Sequence, residues 1–207
     1  MTSRQSPNDP RRGAMIAFDA VACVRGGNAL FEDLSFVVRG GDALLVSGPN
    51  GAGKSSLLRL AAGLLDPVAG GISRNAVVAL TDERAGLDPE QDVARALGWW
   101  ARLDGAPDGA VDAALAALGC AHLAPVPVRL LSSGQRKRTA LARTIASGAD
   151  LWLLDEPANG LDADTIPLLE AAIARHRAAG GAVMVATHIA LALPDAQRIA
   201  LGAAVPA

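Results

Sequence analysis

The residues with the most chemistry in them are Gly48-Pro49-Asn50-Gly51-Ala52-Gly53-Lys54-Ser55. They follow the apolar run 43–46 and lead into Ser56-Leu57-Leu58-Arg59-Leu60, so the stretch reads as strand, glycine-rich loop and helix. The spacing fits G-x-x-x-x-G-K-[ST] in the context that pattern requires. Glycines let the backbone curl until several N–H groups converge on a phosphate, and the start of the following helix adds positive potential. Lys54 is expected to reach the β- and γ-phosphates of a nucleoside triphosphate, the Ser55 hydroxyl to ligate Mg2+, and Ser56 to belong to the same binding stretch.

Two further stretches carry chemistry. Leu151-Trp152-Leu153-Leu154-Asp155-Glu156 reads as a buried strand ending in two carboxylates. In an α/β sheet the carboxyl ends of the strands line the ligand crevice. Asp155 is therefore expected to hold Mg2+, through water or through the shell of Ser55. Glu156 is placed to take the proton of a water attacking the γ-phosphate, a role worth about 10²- to 10⁴-fold in rate. Alone, such a pair could merely cap a strand; beside a phosphate loop it reads as catalytic machinery. Leu131-Ser132-Ser133-Gly134-Gln135 opens a helix with hydroxyls, free N–H groups and a helix dipole, all suited to an anion. By itself that describes an ordinary helix cap.

These stretches need a scaffold, and the chain has the length and composition for one. Its 207 residues suffice for one α/β core with a small insertion, and 51% are hydrophobic while only 3% are aromatic. A net charge of −2 gives no reason to expect nucleic acid. Cys23 and Cys120 make no metal spacing and read as reduced thiols. No apolar run approaches the roughly 18 residues that span a bilayer. Arg11-Arg12 hints at a twin-arginine signal, but Asp19 interrupts the apolar segment that follows, which points to a soluble start.

Residues 1–14, polar with scattered prolines, read as a disordered tail. Alternation predicts strands over 15–24 and 29–38, joined by the turn Arg25-Gly26-Gly27-Asn28. In the helix after Lys54, residues Leu57, Leu60, Ala61 and Leu64 make a core-facing stripe, and 66–71 close it. A short strand over 77–80 leads to a charged loop, 82–89. Helical patterns then cover 92–102, 107–118 and a stretch from Ser133, an insertion of about 89–148. Strand character returns at 151–154, 182–186 and 198–201, with a helix over 164–179. Strands alternating with helices predict a largely parallel sheet covered on both faces. Arg136-Lys137-Arg138 reads as a solvated or ion-paired face, Trp99-Trp100 as core packing for at least one ring, and His122 and His176 as incidental.

In this order and spacing the phosphate loop, L-S-S-G-Q and D-E resemble the ABC-type ATPase domain, over essentially 16–201. The resemblance implies an α/β P-loop NTPase with a mostly parallel core, an antiparallel N-terminal β part and an inserted helical subdomain, within a domain of 15–207. It implies ATP and Mg2+ as ligands. It makes His188 the histidine that contacts the γ-phosphate and orients Glu156, and Asp162 the aspartate of the loop after D-E. It also implies that Ser132, Ser133, Gly134 and Gln135 close on ATP from a second copy, in a head-to-tail homodimer. Two departures stand out. The family's adenine-stacking aromatic is replaced by Arg25, whose guanidinium plane can also stack on a base. The family's metal-site glutamine, after the strand that here ends near Leu80, falls within Thr81-Asp82-Glu83 and nearest Glu83, a carboxylate that could itself bind Mg2+.

Within the family, the C-x-R start at Cys23 and Arg25, the run 48–60 and the segment 186–194 resemble the branch that serves cytochrome c maturation, the haem exporters. That branch implies a peripheral subunit on the cytoplasmic face of the bacterial inner membrane, driving integral membrane transporter subunits, with no span of its own and no nucleic acid partner. The alternatives are an exporter of another small molecule or lipoprotein, and a soluble ABC ATPase of DNA repair or translation.

Overall fold

The computed structural model describes residues 13–81 and 86–202. Strands β1 (Ala14–Arg25) and β2 (Asn28–Arg39) form a hairpin, followed by β3 (Ala43–Ser47) and helix α1 (Lys54–Ala61). After β4 (Ala69–Arg74) and β5 (Val78–Thr81) come α2 (Val93–Leu103), α3 (Ala110–Ala117) and α4 (Ser133–Ala146). The chain ends in β6 (Leu151–Asp155), α5 (Thr165–Ala178), β7 (Ala182–Ala186) and β8 (Gln197–Ala200).

Two sheets result. A five-stranded sheet runs β5-β6-β7-β3-β8, with every pairing parallel. A three-stranded antiparallel sheet runs β2-β1-β4. The side-chain period of two sends successive residues of each central strand to opposite faces. Trp152 and Leu154 with Val183 and Val185 pack among α2–α5. Leu151, Leu153, Met184, Leu44 and Val46 pack against α1 and the antiparallel sheet. Continuous apolar runs such as 151–154 are what a sheet buried on both faces demands.

Several elements depart from the sequence reading. Strand β1 already begins at buried Ala14, inside the stretch read as a tail, and residues 1–12 lie outside the described residues. Helix α1 stops at Ala61, so Leu64 lies beyond it and is 65% exposed. The helix is closed at Gly63, left-handed at φ 74°, with the Gly63 and Leu64 amides donating back to the Leu60 and Arg59 carbonyls at 3.1 and 2.9 Å, and the Arg74 guanidinium of β4 bonds the carbonyls of Leu60 and Ala61. The stretch 66–71, read as a helix end, leads into an edge strand. Gly70 is required there because a Cβ would lie 2.2 Å from the Ala20 carbonyl oxygen.

Trp99 and Trp100 are not deep core: Trp99 is 51% exposed. The Trp100 indole donates to the Gly86 carbonyl at 3.1 Å, and the Arg143 guanidinium of α4 lies 3.5 Å from its ring centroid. One ring thus joins α2, α4 and the loop after β5.

His176 is far from incidental. It stacks on Trp152 of β6 at 3.8 Å between centroids. Its Nε2 lies 3.1 Å from the Asp150 oxygen and 3.2 Å from the Ala182 oxygen, at the starts of β6 and β7. Two carbonyls can only accept, so Nε2 carries the hydrogen and the ring is neutral or doubly protonated. Burial holds its pKa below the ordinary 6.5, against the carbonyl contacts that raise it. The unfolded chain then binds a proton more readily than the folded one, so stability is lost as pH falls below about 6.5. His176→Phe keeps a ring on Trp152 but cannot titrate. Urea unfolding between about pH 7.5 and about pH 5.5 is expected to show a clearly smaller loss in this variant, while His176→Ala costs about 2 kcal/mol at neutral pH.

Candidate functional site

The site stands where the strands of the parallel sheet end. β3 and β6 flank β7, with Val46 and Asp155 both paired to Ala186. The chain leaving β3 makes the phosphate loop, the chain leaving β6 carries Asp155 and Glu156, and the chain leaving β7 carries His188. The three are neighbours because the register makes them so.

Loop geometry follows from its glycines. Gly48 has φ +142°, and a Cβ there would lie 2.5 Å from the Leu201 oxygen. Gly53 is the N-cap of α1 at φ 101°, a left-handed conformation that favours glycine. No side chain caps this helix and no acid lies in its first turn, so its free N–H groups and dipole remain directed at the loop. Lys54 folds back over the loop, donating to the carbonyls of Gly48 at 2.8 Å and Pro49 at 3.3 Å. It is only 7% exposed.

Glu156 is the convergence point. Its Oε1 lies 3.9 Å from the Lys54 ammonium and its Oε2 lies 3.0 Å from His188 Nδ1. The His188 amide also donates to it at 3.4 Å. Its backbone is left-handed, at φ 44°, and is held so by its N–H donating to the Ala186 carbonyl at 2.8 Å. A non-glycine residue in that region carries roughly 1–3 kcal/mol of strain.

Asp155 points elsewhere. Burial raises its pKa, opposed first by a hydrogen bond from Ser55 and then by the charges of Arg59 and Lys137, while Glu156 pushes it further up. Its Oδ1 is buried with no hydrogen-bond partner. A carboxylate oxygen without a donor, next to a serine hydroxyl, suits a hard cation such as Mg2+, which takes oxygen ligands. Glu83 lies outside the described residues.

Arg25, Leu30, Asn50, Gly51, Gly53, Lys54, Ser55, Ser56 and Glu156 line one cavity of about 430 Å³. Ser132, Ser133, Gly134, Gln135 and Asp162 do not line it. They gather at the start of α4. Ser132 and Gln135 form a reciprocal capping box, the Gln135 amide donating to Ser132 Oγ at 3.2 Å and the Ser132 amide to Gln135 Oε1 at 2.9 Å. Their side chains are thus spent on each other, leaving Ser133 exposed at the first turn. Asp162 accepts from the Thr165 amide at 2.9 Å and lies 3.8 Å from Arg138. The Thr165 hydroxyl is the main reason its carboxyl sits below the usual range. Lys137 reaches the Asp155 carbonyl at 3.5 Å and Arg138 pairs with Asp162, while Arg136 is exposed.

A parallel sheet whose strand ends bring together a phosphate loop, an Asp–Glu pair and a histidine defines a P-loop ATPase. Residues 31–159 match the ABC transporter family, and the chain belongs to that family as an ATP-binding, ATP-hydrolysing subunit. Among its relatives, the cytochrome c biogenesis ATP-binding export protein CcmA of Sphingopyxis alaskensis is 55% identical over 91% of this chain and 97% of its own. The protein of the same name from Zymomonas mobilis is 47% identical over 91% of this chain and 85% of its own. A solved ATP-binding subunit of an ABC transporter shares the fold, with a TM-score of 0.77 at 23% identity over 84% of this chain and 80% of that one.

The strained backbone at Glu156 makes a prediction about stability and chemistry together. Glu156→Gly suits φ 44° and is expected to raise the urea midpoint, while ATP turnover falls by at least about 10²-fold. A lower midpoint would show that the contacts of this carboxylate outweigh its strain.

Proposed function

We propose that this chain hydrolyses Mg2+-ATP in a head-to-tail homodimer and drives membrane subunits serving cytochrome c maturation. The observation that carries the catalytic part is the convergence of Lys54 and His188 on Glu156 beside the loop. Loop N–H groups and Lys54 bind the β- and γ-phosphates, the ammonium exchanging its loop carbonyls for phosphate oxygens. Ser55 and Asp155 hold the cation, which neutralises phosphate charge when bound. Glu156 takes the proton of the attacking water, and His188 fixes its carboxylate by the 3.0 Å contact. Fixed donors aimed at the phosphate charge supply the rest of the rate.

The residues at the Ser133 helix start do not line the phosphate cavity, which favours a cage completed by a second copy. In the symmetric pair, Ser133, Gly134 and Asp162 of one chain close on the ATP of the other. No helix among the described residues is long and apolar enough to cross a membrane, so a transport role needs membrane subunits. The 55% identity to CcmA supports cytochrome c maturation as the process served, through haem export or release of a haem-loaded chaperone at the inner membrane.

Three experiments bear on this. Glu156→Gln is expected to keep ATP binding, lose about 10²- to 10⁴-fold in hydrolysis and accumulate as an ATP-bound dimer on size exclusion. Lys54→Ala and Ser133→Arg are each expected to be inactive alone. Mixed, they form a heterodimer in which one site pairs two intact halves, so activity returns; a site made within one chain gives no recovery. For the process, a CcmA-deficient bacterium is expected to regain c-type cytochromes with this chain and not with its Lys54→Ala variant.

A further inference from the structure

The middle residue of the basic run 136–138 meets the acid pair at its backbone. Lys137 Nζ donates to the Asp155 carbonyl at 3.5 Å. That distance is long for a hydrogen bond, so the hold is mainly the attraction of an ammonium for a carbonyl dipole. The carbonyl belongs to the peptide joining Asp155 to Glu156, whose N–H donates to the Ala186 carbonyl at 2.8 Å. In a trans peptide the two groups point opposite ways, so this plane is held from α4 at one end and from β7 at the other. Turning the plane changes φ of Glu156 directly. Its value of 44° is a conformation that persists only where the surroundings over-determine it, and Lys137 supplies one of the constraints.

Lys137 itself stands on a fixed base. The capping box of Ser132 and Gln135 sets the start of α4. A Cβ on Gly134 would lie 3.2 Å from the Gly160 carbonyl oxygen, and Arg138 lies 3.8 Å from Asp162. The helix around Lys137 is thus packed along 160–162 of the same chain, just after the acid pair. Its effect on the Asp155 carboxyl is minor. Burial is the main cause that raises that group, and among those opposing it the Ser55 hydrogen bond comes first and Lys137 last. We infer that Lys137 is a positioning residue for hydrolysis: from α4 it holds the 155–156 peptide of its own chain and so aims the Glu156 carboxylate. This rests on Glu156 as the base that takes the proton of the attacking water.

The test is ATP turnover and ATP binding by the purified chain and its Lys137 variants. Lys137→Met keeps a straight stem and loses the charge. Its kcat is expected to fall about 10- to 100-fold, while KM and the ATP dissociation constant stay within about 2-fold. Lys137→Arg keeps a cationic donor, and a single carbonyl asks for no particular fork, so kcat is expected within about 3-fold of wild type. The mixed pair of Lys54→Ala and Ser133→Arg chains separates positioning from helix packing. Its working site takes Lys54 and Glu156 from the Ser133→Arg chain and Ser133 from the other. Adding Lys137→Met to the Ser133→Arg chain is expected to cut the recovered activity by the factor seen in the single variant. Added to the Lys54→Ala chain, it is expected to leave that activity within about 2-fold. An unchanged kcat in Lys137→Met overturns the inference, as does an equal loss in Lys137→Arg or an equal loss from both placements. A mixed pair that never recovers brings down the two-chain cage, and kcat of the single variants then decides. Turnover kept in Glu156→Gln brings down the base itself, and this inference with it.

Discussion

Two carboxylates stand within reach of a loop built to grip an anion, and the rest of the molecule is arranged around that electrostatic conflict. A triphosphate brought beside Asp155 and Glu156 would be repelled unless positive groups came between them. The fold interposes them separately for each acid. The Lys54 ammonium meets Glu156 directly, and the His188 ring and amide contact its other oxygen. Asp155 is instead buried beside Ser55 with one oxygen unmatched, a setting that favours a cation. Both arrangements require β3, β6 and β7 to end at one edge in strict register. That register is enforced by apolar residues alternating between two cores, each strand filling both.

Much of this was legible in the sequence, because the loop, the acid pair and the strand before each are local patterns. The strand runs 43–46, 151–154 and 182–186 are continuous and apolar, and they became the buried centre of the parallel sheet. What was not legible depended on partners distant in the chain. Leu64 continued a helical stripe on paper, but Gly63 turns left-handed ahead of it and the last carbonyls of α1 are taken by Arg74 of β4. Strand β4 itself was hidden behind two glycines, one of which serves a close approach to Ala20.

The histidines make the same point. His188 was implied by the family resemblance, and the structure sets its ring against Glu156. His176 carried no local signal, since its partners are a ring and two carbonyls brought in by β6 and β7. At the head of α4, L-S-S-G-Q was readable as a helix start, but only the structure divides the labour within it. Ser132 and Gln135 make the cap and free Ser133 for other contacts.

The ring of Trp100 has a mechanical meaning. It is hydrogen-bonded to the carbonyl of Gly86 and clasped by Arg143, so α2, α4 and the chain at Gly86 share a single rivet. Motion of either helix past the sheet must carry Gly86 along or break the rivet. The two helices are therefore held to one another and to the chain at Gly86 through one ring, and displacement of either strains both contacts.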